Sequence, residues 1–542
     1  MFTIKINGEN LSFDKKVKLL DLTNGDKKYI CARVNNHIRE LDYEVYYDAN
    51  VQLLTLEDDD SKGQYRRAII FLFLNAAHEI MPETRFKISY SVSRCLFARD
   101  ILGTPITIAQ CKAIEEKMHE LVDCDYPFIK EIVPNEEAIK YYSKLGQLDK
   151  IEILKYRPEK TVHFYNCNGY KNYLFGHMVP STGYIKKFSL KNYYPGIIIQ
   201  FPSGKSYAPI EDFKEEPNFA RSLTAAGNWC KQTNLGLVSQ INNYSEINKG
   251  RDLINITENK CNRDIVHLGD EIEKRIHESR MICIAGPSSS GKTTFANRLC
   301  DELKSRGFNP IRISLDDYYH SHDHIPHDEN GDLDFEHIDA LDKELFNQNM
   351  LDLLNGKEVA LPKYDFKTNE KTFKDSISIA NDQPIIVEGI HALNEKMSNL
   401  IPKANKFKIF IAPQVQLNLD YDNPISMTDI RLLRRIVRDN KYRNTTADET
   451  IKMWPSVRRG EFKWIYETQE EADYVFDSFL VYEPCVLRKF ALPILKQIDH
   501  NSDSFHIADR LMRFLKYFKD VDSANVPCNS LLCEFIGGSS YE

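Results

Sequence analysis

The chain has 542 residues, of which 42% are hydrophobic and 28% charged, and its formal net charge is -8. Because single hydrophobic cores stop growing at roughly 250–300 residues, this length excludes one compact domain and predicts several. The composition is that of an ordinary globular protein and excludes a disordered or collagen-like chain. The small negative charge creates no overall field that attracts nucleic acid, so any anion site must be local.

The sequence contains no segment that is expected to cross a membrane. The longest strongly apolar run, Ala68 to Ala77, is about ten residues long, whereas a spanning helix needs roughly 20. The N-terminus alternates apolar and polar residues like a strand and lacks the pattern of a secretory signal. None of the 12 cysteines forms a CxxC pair, which favours reduced core thiols over a zinc ribbon. We therefore expect a cytoplasmic protein without a membrane contact.

The first 58 residues are predicted to form short strands joined by tight turns, because Asn-Gly pairs and a polar corner interrupt the apolar pattern. These turns are expected at Asn7-Gly8, Asn24-Gly25 and Asn35-Asn36. The polar run from Asp58 to Gly63 then predicts a linker.

A mixed α+β region follows and ends in the polar segment Asn242 to Lys260. Its predicted elements are a helix from Ile69 to Ile80, a strand from Phe86 to Val92, and helices from Ile108 to Leu121 and Asn135 to Leu145. From about Ile265, short β-branched strands alternate with helices, which predicts an α/β fold with a parallel sheet. Its strands are expected near 281–286, 309–315, 384–389 and 407–412, and a last helix from Ala508 to Phe518.

The sharpest motif, GPSSSGKTT, lies between the predicted strand 281–286 and a predicted helix from Phe295 to Lys304. It matches the Walker A pattern, in which glycines turn backbone N–H groups toward a phosphate and the helix N-terminus adds its positive dipole end. We expect Lys292 to reach the β- and γ-phosphates of a nucleotide and the Thr293 hydroxyl to hold Mg²⁺. The predicted nucleotide-binding residues are Gly286, Pro287, Ser288, Ser289, Ser290, Gly291, Lys292, Thr293 and Thr294.

Carboxylates at the ends of two predicted strands are candidates for metal binding and proton transfer. Glu388, in PIIVEG, is expected to face the metal with Thr293, and a solvated strand-end acid is the alternative. Asp316 and Asp317 follow the second strand, where a carboxylate can accept the proton of an attacking hydroxyl. The spacing does not distinguish these two aspartates.

The segment from Asp429 to Asp439 is predicted to be a helix with arginines on one side and apolar residues on the other. Like charges four residues apart repel, so a polyanion or an acidic partner is expected nearby. Beside a phosphate loop, this pattern favours a lid whose arginines stabilise the transferring phosphoryl group, with a solvated basic face as the alternative. The four arginines are Arg431, Arg434, Arg435 and Arg438.

Taken in order, the phosphate loop and four further motifs make residues 270 to 500 resemble the uridine kinase and phosphoribulokinase family of P-loop kinases. The further motifs are LDDYY, LPKYDF (361–366), VEGIH (387–391) and TDIRLLRRIVRD (428–439). The resemblance implies that Asp316 is the general base at a nucleoside 5′-hydroxyl and that Tyr364 lies against the nucleoside. It also implies that Arg435 and Arg438 belong to a phosphate-binding lid, and that Glu336 contacts the ribose hydroxyls where the family usually has an aspartate.

Three further positions depart from the family pattern. Where animal-type uridine kinases read the pyrimidine with a histidine, an arginine and a glutamine, this chain has Asn369, Thr445 and Met453. Discrimination among bases depends on such hydrogen-bonding groups, so the sequence does not show which nucleobase is bound.

The N-terminal half resembles two other modules. Residues 1–58 are similar to a small β-grasp-like TGS domain, and residues 60–250 to the second additional (editing) domain of threonyl- and alanyl-tRNA synthetases. The four positions of that editing site are occupied by Arg67, Phe71, Tyr173 and His177, so only one expected ligand remains. Zinc binding or aminoacyl-tRNA hydrolysis by the usual chemistry is therefore not expected.

The sequence thus predicts a TGS-like domain (1–58), an editing-like domain (60–250), a P-loop kinase domain (265–504) and a C-terminal helix and tail (505–542). The expected activity is transfer of the ATP γ-phosphate to a nucleoside 5′-hydroxyl with Mg²⁺. A kinase for another small alcohol or sugar is one alternative, and a nucleotide-gated RNA- or ribosome-binding regulator is the other. RNA contact through the N-terminal domains and a homo-oligomer, which the resemblance suggests, are further expectations.

Overall fold

The computed structural model describes residues 1–6, 8–202, 210–328, 331, 333–365 and 368–542. Asn7 and Phe366, used in the sequence analysis, lie outside the described residues. The first sheet has the order β2-β1-β7-β4-β5, in which β1 and β7 are parallel and the other pairs antiparallel. The strands of the first 58 residues are β1 (Phe2–Ile6), β2 (Glu9–Phe13), β3 (Val17–Lys18), β4 (Tyr29–Val34), β5 (His37–Arg39), β6 (Glu44–Val45) and β7 (Ala49–Thr55).

The predicted corner at Asn35-Asn36 is confirmed as the turn between β4 and β5. Both residues have positive φ, at 45° and 61°, which is the backbone conformation that two-residue hairpin turns need. The Asn24-Gly25 turn is confirmed in the same way, with φ values of 51° and 77°.

The predicted linker from Asp58 to Gly63 is wrong, because a helix begins within it. Helix α1 runs from Asp59 to Ile80, and its first turn carries Asp59 and Asp60, whose charges favour the N-terminal end of a helix. The Asp58 carboxylate accepts a hydrogen bond from the Thr55 amide and fixes the turn before α1. The acidic run is therefore the start of a helix and not a linker.

Helix α1 packs against two further sheets, with orders β13-β14-β9-β8 and β10-β11-β12. The predicted strand at Phe86 and the helices at Ile108 and Asn135 are confirmed within two residues, whereas the helix predicted from Ile69 begins ten residues earlier, at Asp59. The elements are β8 (Phe86–Tyr90), β9 (Leu96–Asp100), α2 (Ile108–Asp123), β10 (Ile129–Pro134), α3 (Asn135–Lys144), α4 (Leu148–Lys155), β11 (Thr161–Cys167), β12 (Tyr170–Asn172), β13 (Ser189–Tyr193) and β14 (Gly196–Gln200).

Helices α5 (Pro217–Gln232), α6 (Val238–Glu246) and α7 (Arg251–Glu273) follow. Where the sequence suggested a polar segment ending a domain, α6 and α7 are helical and bury Leu253 and Ile254 completely. Apolar residues of α5 and α6 belong to the same core as the strands and helices of the C-terminal half. Residues from about 230 onward therefore pack in the core of the C-terminal half.

The C-terminal half contains a five-stranded sheet of order β16-β19-β15-β20-β21 in which every pair is parallel. This confirms the predicted α/β fold, and a hairpin of β17 and β18 lies beside the sheet. The elements are β15 (Met281–Ala285), α8 (Lys292–Ser305), β16 (Ile311–Ser314), α9 (Lys343–Leu354), β17 (Val359–Asp365), β18 (Glu370–Ile377), β19 (Ile385–Glu388), β20 (Lys406–Ala412), α10 (Met427–Tyr442), α11 (Ala447–Gly460), β21 (Tyr474–Asp477), α12 (Glu483–Leu495), α13 (Phe505–Leu515) and α14 (Cys533–Ile536).

The central strands of this sheet are buried on both faces, as continuous runs of β-branched residues predict. One core lies on the side of α7, α8 and α10, and a second on the side of α9 and the β17–β18 hairpin. The carboxyl ends of the strands meet at one edge, where loops from several elements converge. Within the described ranges, no helix is both long and apolar enough to span a membrane.

Candidate active site

The loop between β15 and α8 has the backbone of a phosphate cradle. A Cβ atom on Gly286 would lie 2.0 Å from the Ile411 carbonyl oxygen, so only glycine fits there. Gly291 has a φ of +92°, which places the next amides at the start of α8. The Lys292 ammonium donates to the carbonyl oxygens of Gly286 (3.0 Å) and Pro287 (3.2 Å) and so lies across the mouth of the loop.

The side chains of this loop fit a polyphosphate ligand with Mg²⁺. The Ser289 and Ser290 hydroxyls are buried without a hydrogen-bond partner among the described residues, and the Thr293 side chain is exposed at the helix start. No cluster of three or more His, Cys, Asp or Glu side chains able to hold a metal occurs in the described part of the chain. Magnesium in kinase sites is commonly held by one or two protein ligands, phosphate oxygens and water, so such a cluster is not required.

Glu388 lies at the carboxyl end of β19, which pairs with β15, the strand before the phosphate loop. Only 4% of the surface of Glu388 is exposed. Its Oε1 accepts a hydrogen bond from the Ser314 hydroxyl at 3.0 Å and lies 3.6 Å from Arg312 Nη1. Burial raises the pKa of Glu388 to about 7, and the nearby negative charge of Asp316 acts in the same direction. Glu388 is therefore a buried strand-end carboxylate within the field of Asp316 and Lys292.

The structure distinguishes the two aspartates that the residue pattern left equivalent. Asp317 accepts a hydrogen bond from the Tyr364 amide at 3.3 Å and pairs with Lys374 at 3.4 Å, so it is tied to the β17–β18 hairpin. Asp316 faces the cleft, and its carboxylate makes no hydrogen bond or ion pair within the described ranges. Desolvation in the cleft raises the pKa of Asp316, although the positive charges of Lys292 and Arg443 oppose this. Asp316 is the aspartate that remains available to a substrate.

Two of the four arginines on α10 donate hydrogen bonds to backbone carbonyl oxygens of the phosphate loop. The fully buried Arg431 donates to the Ser288 carbonyl oxygen at 2.9 Å and pairs with Glu461. The equally buried Arg434 makes a two-point contact with Glu483, at 2.9 and 2.6 Å, and donates to the Ser289 carbonyl oxygen. Both sides of α10 are therefore buried, and this part of the arginine face is not solvated.

Arg435 and Arg438 lie nearer the open side of the site. Arg435 donates to the Ser288 hydroxyl at 2.8 Å and lies 3.2 Å from Asp439, and Arg438 contacts Asp439 at 2.7 and 2.9 Å. The expected acidic partner of the arginine face is thus supplied within the chain by Glu461, Glu483 and Asp439.

Glu336 lies near Tyr319, whose ring neighbours that of Tyr364. Burial raises the pKa of Glu336 to about 7, with Glu461 acting in the same direction and Arg435 opposing it. One Glu336 carboxylate oxygen is buried without a hydrogen-bond partner among the described residues. The rings of Tyr319 and Tyr364 have centroids 6.1 Å apart, and Tyr364 is 5% exposed. Glu336 therefore presents an unused acceptor close to Arg435 and Lys292.

The three positions expected to read the base differ in their surroundings. Asn369 accepts a hydrogen bond from the Tyr364 hydroxyl, and Thr445 donates to the Arg443 carbonyl oxygen at 3.3 Å. Met453 is 43% exposed on α11. The first two groups have partners within the chain, so they do not form a ready-made set of base-reading donors and acceptors.

Three residues that the sequence did not point to act on the phosphate loop or on the cleft. The Glu461 carboxylate accepts from the Ser288 amide at 3.0 Å, and Glu534 of α14 accepts from the Thr294 amide at 3.0 Å. Arg443, one turn beyond Arg438, contributes positive charge at Asp316. Only Arg443 carried a signal in the sequence, because it continues the basic series of α10.

The four positions predicted to match an editing site carry side chains that contact other residues of the chain. His177 lies 3.7 Å from Glu40, and its backbone carbonyl oxygen accepts from Arg67 at 2.9 Å. Phe71 is fully buried, and the Tyr173 hydroxyl contacts Arg157 and Tyr517. Burial lowers the pKa of His177, although Glu40 opposes this.

Comparison with known proteins places the C-terminal half in a family. The model of the phosphoribulokinase/uridine kinase family matches residues 281–482. The chain is 34% identical over 200 residues to the uridine kinase of Macrococcus caseolyticus, covering 36% of this chain and 87% of the relative. It is 32% identical over 201 residues to the uridine kinase of Staphylococcus epidermidis, covering 37% and 88%.

Among solved structures, a "Possible Uridine Kinase" from Bacillus stearothermophilus is 20% identical, with a TM-score of 0.28 and coverage of 40% of this chain and 98% of that one. The two uridine kinases are covered over 87% and 88% of their length, and the residues that the family model matches include the phosphate loop, Glu388 and α10. The chain belongs to the phosphoribulokinase/uridine kinase family.

Proposed function

We propose that the chain is an ATP-dependent nucleoside kinase that transfers the ATP γ-phosphate to a nucleoside 5′-hydroxyl. The similarity to uridine kinases supports this activity. The single structural observation that carries it is the contrast between Asp316, which is free at the carboxyl end of β16, and Asp317, which is held by the hairpin. A nucleotide-binding switch has no need of a free carboxylate in the field of Lys292, whereas a phosphotransferase does.

The residues that would hold ATP are the amides and side chains of residues 286–294, with Lys292 at the β- and γ-phosphates. Thr293 and Glu388 would hold Mg²⁺, since hydroxyl and carboxylate oxygens are its preferred protein ligands. When bound, ATP with Mg²⁺ supplies the transferable phosphoryl group and neutralises part of its charge. The buried pairs of Arg431 with Glu461 and Arg434 with Glu483 keep the loop in one conformation.

The remaining catalytic work is done by charged side chains of the cleft. Asp316 accepts the proton of the acceptor hydroxyl, and its raised pKa makes it a better base than an ordinary aspartate. Arg435 and Arg438 stabilise the negative charge of the phosphoryl group during transfer. Their contacts with Ser288 and Asp439 orient them before the substrate arrives, so little reorganisation is needed.

The acceptor is held by Glu336 and Tyr364 in this proposal. The unpartnered Glu336 oxygen is suited to accept hydrogen bonds from two neighbouring sugar hydroxyls. The apolar faces of Tyr319 and Tyr364 provide a surface for a flat base. A kinase for another small alcohol or sugar is the second candidate, favoured by the partnered state of Asn369 and Thr445.

The test is ADP release by the full chain with ATP, Mg²⁺ and a panel of nucleosides, sugars and cyclitols. Turnover with at least one nucleoside, lost in Lys292→Ala, is the expected result. Turnover restricted to sugars or cyclitols would replace the nucleoside assignment by the second candidate. Absence of turnover with every acceptor would contradict phosphotransfer.

We also propose the four-part organisation of residues 1–58, 60–250, 265–504 and 505–542, in which the first two parts are TGS-like and editing-like and the end of the second part, from about residue 230, packs on the third. The five-stranded sheet β2-β1-β7-β4-β5 and the sheets packed on α1 support it. Contact of the first two parts with RNA and assembly of copies of the chain in the cytoplasm belong to the same proposal. RNA binding with a steep salt dependence and the mass in solution by light scattering are the measurements.

A further inference from the structure

Two positive side chains lie opposite each other on the sheet that joins the N-terminal and C-terminal halves. Lys87 on β8 and Arg99 on β9 are direct partners in the antiparallel register. Their neighbours Phe86, Ile88 and Ala98 point to the other face and are buried in the core around α1. Lys87 and Arg99 thus share the face of the sheet that looks away from α1. Like charges directly opposite each other on paired strands are destabilising.

The chain provides little compensation for this pair. Within the described ranges, Lys87 makes only a long hydrogen bond, 3.4 Å to the Gln416 carbonyl oxygen, and Arg99 makes no hydrogen bond or ion pair. Asp100, the residue after Arg99, accepts hydrogen bonds from the amides of Leu102 (3.2 Å) and Thr104 (3.1 Å) and forms no ion pair with either cation among the described residues. Both cations are therefore left with free donors.

These donors line a cavity of about 150 Å³ between β8, β9 and α5. One water needs roughly 10–15 Å³ on such a measure, so the cavity has room for a small ion and not for a polymer chain. Gly227 and Gly236 leave space beside the cations: a Cβ atom there would lie 3.8 Å from Arg99 Nη2 and 3.4 Å from Lys87 Nζ, respectively.

The other polar groups of the wall do not supply the missing negative charge. Burial raises the pKa of the Cys230 thiol to about 11, so this thiol is neutral. Lys231 adds a further cation and donates to the Ile101 carbonyl oxygen at 3.3 Å. Burial lowers the pKa of Lys87 to about 8 and also lowers that of Arg99, as expected for half-buried cations that form no ion pair among the described residues.

We propose that this cavity is a binding site for the phosphate group of a small ligand. Lys87 and Arg99 are its recognition residues. Two opposed cations require an anion with more than one charge, and a phosphate monoester carries about -1.5 to -2 at neutral pH. The planar Arg99 guanidinium matches two phosphate oxygens, and the Lys87 ammonium adds a third contact. This site is separate from the phosphate loop and does not depend on the proposed kinase activity.

The ligand can be free phosphate or a phosphorylated small molecule. A neighbouring cavity of about 1020 Å³ shares Ile101, Leu237, Gln240 and Tyr421 with the first, so the organic part of a monoester has a place to lie. Both cavities adjoin residues 416–421, whose Tyr421 carbonyl oxygen accepts from the Ile88 amide of β8 at 2.8 Å.

The test is calorimetric titration of the full chain with inorganic phosphate and with glycerol 3-phosphate, in the presence of a saturating non-hydrolysable ATP analogue that fills the phosphate loop. Arg99→Gln and Lys87→Gln are expected to weaken binding at least tenfold. Arg221→Gln, on the exposed side of α5 and outside the cavity wall, is the matched control and is expected to bind normally. Tighter binding of glycerol 3-phosphate than of phosphate would identify a phosphorylated small molecule as the ligand, and the reverse would identify free phosphate.

Thermal melting separates this role from a structural one. Without phosphate, Arg99→Gln is expected to melt at the same or a higher temperature than the unmodified chain, because a repulsive pair is removed. Phosphate is expected to raise the melting temperature of the unmodified chain and not that of the variant. Binding that the ATP analogue abolishes, binding unchanged in both variants, or binding of a short RNA with no binding of either phosphate compound would overturn the proposal.

Discussion

The carboxylate of Glu534, in the C-terminal helix α14, accepts a hydrogen bond of 3.0 Å from the Thr294 amide in the first turn after the phosphate loop. Amides at this point of a Walker A loop cradle the phosphates of a nucleotide. The tail is fixed there by further contacts, since Lys441 donates to the Ile536 carbonyl oxygen at 2.6 Å and Arg434 lies over the Phe535 ring. A negative side chain of the tail thus lies in the anion-binding end of α8.

Glu534→Gln is therefore expected to lower the KM for ATP about two- to fivefold, because a competing negative charge at a helix N-terminus is removed. Steady-state kinetics with ATP as the varied substrate is the measurement. Glu542→Gln, farther along the same tail, is the control and should leave KM unchanged. A higher KM in Glu534→Gln would show that the carboxylate supports the nucleotide site instead of competing for it.

Asp316→Asn is expected to lower kcat by about 10²- to 10⁴-fold with little change in the KM for ATP, since it removes only the proton acceptor. Asp317→Asn is the matched control. Its carboxylate is engaged by Tyr364 and Lys374, so its effect on kcat should be much smaller. Equal losses in the two variants would contradict the distinction that the structure makes between the neighbours.

Glu461→Gln is expected to destabilise the C-terminal half by about 3 kcal/mol, because it leaves Arg431 buried without its full counter-charge. The Ser288 amide also loses a charged acceptor, so the KM for ATP should rise. The measurement is denaturant unfolding followed by tryptophan fluorescence, to which Trp454 and Trp464 of the C-terminal half contribute. Glu271→Gln, which breaks the exposed pair with Lys274, should leave the midpoint where it was.

The free energy of unfolding of the ligand-free chain should depend on pH through Glu336. Its folded pKa of about 7 lies above the ordinary 4.5, so the folded state binds the extra proton between these values and loses stability as pH rises through them. Glu336→Gln is therefore expected to stabilise the chain by about 1–3 kcal/mol at pH 8 and by less at pH 5.5. The same gain at both pH values would show that Glu336 does not titrate in this range.

The sequence was sufficient for features that depend on neighbouring residues. The strand, glycine loop and helix of residues 281–305 form one local pattern, and the Asn35-Asn36 turn needs only its own two residues. Features that depend on distant partners could not be predicted. Asp316 and Asp317 differ because the hairpin residues Tyr364 and Lys374, 47 and 57 positions from Asp317, contact Asp317.

The arginine helix shows the same limit. Its 3.6-residue spacing predicts one basic face, but the spacing does not show that Arg431 and Arg434 meet carboxylates 30 and 49 positions later and become buried. The contact of Glu534 with Thr294 joins residues 240 positions apart and had no local signal. The acidic run at Asp58 was misinterpreted because the same residues suit a loop and the start of a helix.

The most direct test of the central claim is identification of the product formed from ATP and the accepted nucleoside by ³¹P NMR and mass spectrometry. The account predicts a nucleoside 5′-monophosphate in equal amount to ADP, and its disappearance in Lys292→Ala and Asp316→Asn. A phosphate on another hydroxyl, ADP release without a phosphorylated nucleoside, or full product formation by either variant would contradict the account.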